Sequence, residues 1–159
     1  MGHSKARKAG RKGASRSKLL PLPASMVQAI SLQNHLALEA LRSRLGESLH
    51  VTFLLRAVYL TYLLCDVSES RWEIPVLHEA EAALCRCNQR ELADSEIDAL
   101  KIVLTLHDGQ LQSVSVHLYE TACAHLLNYL VKGGEPIIPA STGDVLVKEA
   151  EFSETEFSG

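Results

Sequence analysis

Apolar residues recur mostly every three or four positions between residues 24 and 132, the spacing of one face of an α-helix. Breaks at proline, glycine and polar clusters divide this pattern into segments of helical length. Residues 113–117 alternate between polar and apolar, but they are few and lead directly into a helical pattern. The sequence therefore predicts an all-α fold, a single bundle of four to five helices.

The first two predicted helices differ in how much of their surface is apolar. The first has Ser25 as its predicted N-cap, Gly46 as its predicted C-cap and a loosely defined apolar stripe. The second follows Ser48 and is apolar nearly all round, which is typical of a helix at the centre of a bundle. Its most apolar stretch, residues 51–65, contains Arg56 and is shorter than the roughly 20 residues of a membrane span.

Three further helices follow. Pro75 suits the first turn of the third, and Asp94 or Ser95 caps the fourth, with Ser95 and Asp98 at capping-box spacing. Gly109 marks a point where the fourth helix either ends or continues with a kink. The fifth helix covers about residues 114–132. Its predicted inward face consists of Leu118, Ala122, Leu126, Tyr129 and Leu130.

Charge is distributed unevenly along the chain. Residues 1–18 hold seven basic residues and no acidic one, whereas residues 19–132 hold 8 basic and 13 acidic residues. Residues 133–159 hold one basic and six acidic residues. Neither end has an apolar face to bury, so we expect a disordered basic arm over 1–23, a helical bundle over 24–132 and a flexible acidic tail over 133–159. Such asymmetry is typical of interaction arms.

The basic arm is the candidate nucleic-acid-binding segment. Its cations are Lys5, Arg7, Lys8, Arg11, Lys12, Arg16 and Lys18. They would attract phosphates by counterion release, without sequence specificity, because a disordered arm has no element that fits a groove. No aromatic residue is interleaved with them, so base stacking is not expected. The alternatives are a solvated arm and an arm docked on the acidic body of the same chain.

Motifs for catalysis or metal binding are missing from the sequence. Cys85 and Cys87 are two residues apart, and on a helix their side chains would point about 200° apart, so they could not share an ion. There is no HExxH, no G-x-S-x-G and no phosphate-binding glycine loop. With no secretory signal, four cysteines indicate a reduced cytoplasmic protein with buried thiols. We expect no enzyme activity, no metal and no cofactor.

One polar cluster is the exception. Asn34 and His35 lie in the first predicted helix, and His107, Asp108 and Gln110 lie in the fourth. Asn34 and His107 fall on the apolar stripes of their helices, and buried polar groups need partners. If the two helices are neighbours, these groups can pair across the bundle as a core network. The alternative is a small polar pocket with a histidine base, which would suit a ligand site or an enzyme.

The same two segments carry a resemblance to a known group of proteins. They read Asn34-His35-Leu36-Ala37-Leu38 and Leu104-Thr105-Leu106-His107-Asp108-Gly109-Gln110-Leu111. Over about residues 5–130 the chain resembles a loose group of short bacterial proteins, often from prophage or plasmid regions, that begin with a Lys/Arg-rich arm.

The resemblance implies a bacterial or phage origin and no established activity. Some members of the group are described as Fis-type transcriptional regulators. Proteins of that type end in a helix-turn-helix with a basic recognition helix. The last predicted helix here departs from that pattern, because its only Lys or Arg is Lys132 and it holds Glu120.

The sequence leads to two hypotheses for the function of this chain, each from a different class of protein. The first is a non-enzymatic accessory protein that binds nucleic acid non-specifically through its basic arm. The second is a protein–protein interaction module of a phage or plasmid system, a homodimer included, that contacts its partner through apolar residues near Trp72 or in the tail. An enzyme or ligand site at the polar cluster is a remote third. No membrane partner is expected.

Overall fold

A computed structural model describes residues 19–65, 74–87 and 90–140, which form five α-helices. The helices are α1 (Ala24–Arg42), α2 (Ser48–Leu64), α3 (Ile74–Arg86), α4 (Asp94–Ser113) and α5 (Val116–Lys132). Within these ranges the only β-type pairing is an isolated antiparallel bridge between Pro21 and Ser115. The predicted all-α bundle is confirmed. The seven cations of the arm, Trp72 and the tail beyond residue 140 lie outside the described residues.

α2 lies at the centre of the bundle, because it contacts each of the other four helices. Leu54, Ala57 and Leu60 are among its buried residues. Thr61 is buried too, and its hydroxyl donates to the carbonyl of Ala57 at 2.8 Å, which satisfies a polar group in the core. In the described part of the chain, no helix combines the length and the apolarity that crossing a bilayer requires.

α1 begins before its predicted cap, Ser25, and ends before its other predicted cap, Gly46. At the C-terminal end the reason is Arg44, whose φ of 61° is the left-handed conformation that closes helices. Gly46 is needed instead for a close approach of the chain to α1. A Cβ at that position would lie 2.9 Å from the Cα atom of Leu41.

The start of α4 also differs from the prediction. The capping carboxylate is Glu96, which accepts a hydrogen bond from the backbone N–H of Ala93 at 2.8 Å. The predicted pair of Ser95 and Asp98 therefore lies two residues too late to cap the helix. α4 then runs through Gly109 to Ser113, so of the two predicted alternatives at that residue the helix continues.

The inward face predicted for α5 is confirmed only in part. Tyr119, Ala122 and Leu126 are buried, whereas Leu118 and Leu130 are exposed. The fifth helix packs against α2 alone among the described helices, and its apolar residues extend well beyond the buried side. Apolar spacing therefore identified Ala122 and Leu126 correctly but not the limits of the inward side.

The core also includes residues that precede α1 and residues that follow α5 in the sequence. Leu22 is buried, and its backbone N–H donates to the carbonyl of Val114 at 3.2 Å. Ile138, 2% exposed, packs into the main apolar cluster. Beside it, the His78 ring donates to the carbonyl of Pro139 at 2.7 Å. The packed body therefore extends beyond the predicted limits of residues 24 and 132.

Candidate functional site

α1 and α4 are neighbours, and a histidine–carboxylate pair connects them. His35 Nε2 lies 2.9 Å from Asp108 Oδ2. The imidazole is 48% exposed, so the pair lies at the surface end of the α1–α4 contact. Exposed pairs of this kind contribute about 0–1 kcal/mol to stability. The contact joins the two helices but offers no enclosed space for a ligand.

Asn34 and His107 lie deeper between the same helices, 4% and 1% exposed. Both line a cavity of about 10 Å³ whose remaining wall comes mainly from α2. Asn34 Nδ2 and both ring nitrogens of His107 have no hydrogen-bond partner among the described residues. The two side chains therefore do not pair directly, and the simple core network predicted for them is incomplete.

His107 is poorly suited to act as a base at neutral pH. Burial lowers its pKa to about 4. The negative charge of Asp108 and the side chain of Gln110 act in the opposite direction, and the positive charge of Arg56 acts in the same direction as burial. A general base works best with a pKa near the operating pH. The cavity has room for about one water molecule and none for a substrate.

Gln110 lies near His107, whose pKa its side chain raises, and also reaches the end of α2. Its Nε2 donates to the carbonyl of Thr61 at 3.0 Å and lies 3.3 Å from the sulfur of Cys65. It therefore ties α4 to the end of α2. The five polar residues of the predicted cluster are thus arranged as a surface pair, a buried pair on a small cavity, and Gln110, which lies near the buried pair and links α4 to α2.

The cations of the described body are mostly neutralised by neighbouring carboxylates. Five of the seven lie within 4 Å of one, and Arg56 donates to the hydroxyl of Tyr119 at 3.1 Å instead. The ion pairs are Arg42–Glu39, Arg44–Glu91, Arg86–Glu96, Arg90–Glu96 and Lys101–Asp98. The described surface therefore has no cluster of unpaired cations to receive a phosphate backbone.

Glu96 is a residue that the sequence analysis missed. Its buried carboxylate accepts from Arg86 at 2.7 Å and from Arg90 at 2.9 Å, besides its capping bond to Ala93. Hydrogen bonds from Arg90, from the Ala93 N–H and from Arg86 lower the pKa of Glu96 to about 2. The carboxylate fastens the end of α3 to the start of α4, which is a structural role. A carboxylate three residues after a helix start was its signal in the sequence.

Exposed apolar residues concentrate around α5. Six of the twelve large ones in the described chain lie on this helix or in the segment bonded to its start: Leu19, Leu20, Leu118, Leu127, Leu130 and Val131. Those on the helix are 57–74% exposed. Glu120 is its only Asp or Glu, and Lys132 is its only Lys or Arg. An open groove of about 370 Å³ borders the helix on the Leu118 side.

The cysteines and the metal-binding side chains form no further site in the described residues. No disulfide joins the four cysteines, and Cys85 is exposed while the others are half-buried, so the predicted burial of the thiols is wrong. Across the described ranges, no group of three or more His, Cys, Asp or Glu side chains is placed to hold a metal ion.

No protein-family model matches this chain, and comparisons with curated proteins and with solved structures found no significant match.

Proposed function

We propose that this chain is a non-enzymatic accessory protein whose basic arm binds nucleic acid without sequence specificity. One observation carries the proposal, the separation of charge between arm and body. Residues 1–18 hold seven basic residues and no acid, whereas the described body pairs five of its seven cations with carboxylates. Since phosphate binding depends on cations that displace counterions, the arm is the segment suited to it.

The point where the arm joins the body supports this proposal. Val116 N–H donates to the carbonyl of Leu20 at 2.9 Å, and Leu22 N–H donates to the carbonyl of Val114 at 3.2 Å. These bonds fix the chain at the junction between α4 and α5. An arm bound to phosphates would therefore hold this end of the bundle next to the nucleic acid.

Deleting residues 1–18 tests the proposal. We expect the full chain to bind duplex DNA with a log–log salt slope of at most about −6, because seven cations release about 0.9 counterion each. The deletion variant should lose this binding, measured by fluorescence anisotropy of a labelled duplex between about 50 and 200 mM salt. A matched control, Arg42→Gln with Lys101→Gln, removes two paired body cations and should bind like the wild type. Equal affinity of the deletion variant and the full chain would contradict the proposal.

A second candidate function rests on the exposed apolar surface of α5. We infer on this basis a protein–protein interaction module of a phage or plasmid system, with no role for nucleic acid. Apolar patches on a soluble protein commonly mark interaction sites. The partner to test first is a second copy of this chain, because a twofold interface uses the same surface on both subunits.

Substitution of Leu127 and Leu130 by lysine tests this second function. We expect the wild type to sediment as a dimer at about 100 μM, and the double variant to be monomeric, since two buried charges would oppose the contact. Leu32→Lys with Leu36→Lys, on the exposed side of α1, is the matched control and should remain dimeric. A wild-type protein that stays monomeric at this concentration would rule out the homodimer.

A further inference from the structure

We infer that the cavity between α1, α2 and α4 is a binding site for one ordered water molecule that bridges Asn34 and His107. Two independent observations support it. Three polar atoms of the residues that line the cavity, Asn34 Nδ2 and both His107 ring nitrogens, are buried without partners in the described residues. Buried polar atoms in folded proteins nearly always have a partner, either protein or water. The cavity, about 10 Å³, also matches the space that a single water needs.

The hydrogen-bonding groups on the wall fit water. The amide of Asn34 offers two N–H donors, and a neutral imidazole has one nitrogen that donates and one that accepts. Water both donates and accepts, so it can join the amide of Asn34 to His107 in either tautomer. Because the pKa of His107 is lowered by burial, the ring keeps its accepting nitrogen at neutral pH.

The opening of the cavity offers further hydrogen-bond partners for the water molecule. Gln33 and Arg56 also line it, and both are exposed residues. The guanidinium of Arg56 donates to the hydroxyl of Tyr119 at 3.1 Å, which holds it at the wall. Buried waters typically make about three hydrogen bonds. Asn34, His107 and one group at the opening would supply that number.

The size and the remaining wall exclude a larger ligand. Ile30, Phe53, Ala57 and Leu60 supply apolar contacts around the polar atoms. A substrate or an organic cofactor needs a pocket at least thirty times larger, on the order of 300 Å³. The water would complete the polar contacts between α1 and α4 that begin at the surface with the His35–Asp108 pair.

A high-resolution crystal structure of the full chain tests the site. We expect a density peak within about 3.2 Å of Asn34 Nδ2 and of one His107 ring nitrogen. An empty cavity, or a direct hydrogen bond between Asn34 and His107, would overturn the inference. In solution, the ring N–H or ring protons of His107 should show magnetisation transfer from a long-lived water, and its absence would count against the site.

Variants provide a second measurement. Asn34→Leu should remove the density peak, while Gln28→Leu on the exposed side of the same helix should retain it. The unfolding equilibrium constant should rise about 10-fold for Asn34→Leu and about 10-fold for His107→Leu, because each leaves the remaining groups unsatisfied. The double variant should show less than the product of these changes. A water peak that survives in Asn34→Leu would contradict the bridging role.

Discussion

Among the groups that titrate at acid pH in the described chain, Glu96 and His107 have pKa values far from their usual ranges, and both weaken the fold at acid pH for opposite reasons. Glu96 is held ionised by its hydrogen bonds, so the stability it provides is present above about pH 4.5 and lost as the pH falls towards 2. His107 is held neutral by burial. The unfolded chain therefore takes up a proton below about pH 6.5 that the folded chain resists down to about pH 4.

Replacing Glu96 by glutamine separates these two effects. We expect the variant to be less stable than the wild type by about 1–2 kcal/mol at pH 7, because Arg86 and Arg90 lose their carboxylate but remain half exposed to solvent. The difference should shrink as the pH falls from about 4.5 towards 2, where the wild-type carboxylate also becomes neutral. Urea unfolding of the variant and the wild type at pH 7 and pH 3 measures this difference in the free energy of unfolding.

The control for this experiment is Asp98→Asn, which breaks the exposed pair with Lys101. This change should cost less than about 0.5 kcal/mol at either pH. A Glu96→Gln difference that is independent of pH would contradict the assignment of a depressed pKa to Glu96.

At the scale of the helices, the order and type of elements could be predicted from the sequence, because proline, glycine and polar clusters separate five stretches of helical spacing. The inward face of α5 could be predicted only in part, since Ala122 and Leu126 are buried as expected but Leu118 and Leu130 are exposed. Apolar residues cover several sides of this helix, and packing against α2 decides which side is buried. The end of α1 depended on a left-handed Arg44, a conformation that composition does not reveal. For the candidate site, the sequence shows that Asn34 and His107 fall on the apolar stripes of their helices. It does not reveal the cavity that these two residues line.

Ile138 shows that the segment after α5 contributes to the core. We expect Ile138→Ala to destabilise the protein by about 2–4 kcal/mol, because it removes a fully buried side chain. Val131→Ala, at a 74% exposed position of α5, should change stability by less than about 0.5 kcal/mol. Urea denaturation of both variants decides the matter. Equal stabilities would mean that the chain after α5 belongs to a flexible tail, as its composition alone suggests.

At the scale of the molecule, acidic residues exceed basic ones when the described ranges are taken together. The described ranges hold seven basic and eleven acidic residues, and most of the cations are already paired. Under the proposed function, this surplus of acid competes with phosphate for the arm. Affinity for nucleic acid would then depend on the difference between the attraction of the arm to phosphate and its attraction to the acidic body, both of which are screened by salt. The affinity should be highest for the nucleic acid with the densest phosphate charge.

The backbone bonds between Leu20 and Val116 and between Leu22 and Val114 leave almost no linker between the arm and the bundle. A body of this size is about 35 Å across, judged from the usual scaling of radius with chain length. That diameter covers about 10 base pairs of duplex, whereas seven phosphate contacts extend along only about 12 Å. If the arm binds DNA as proposed, the spacing of molecules on a saturated duplex is therefore set by the bulk of the helical body, and neighbouring bodies are brought side by side.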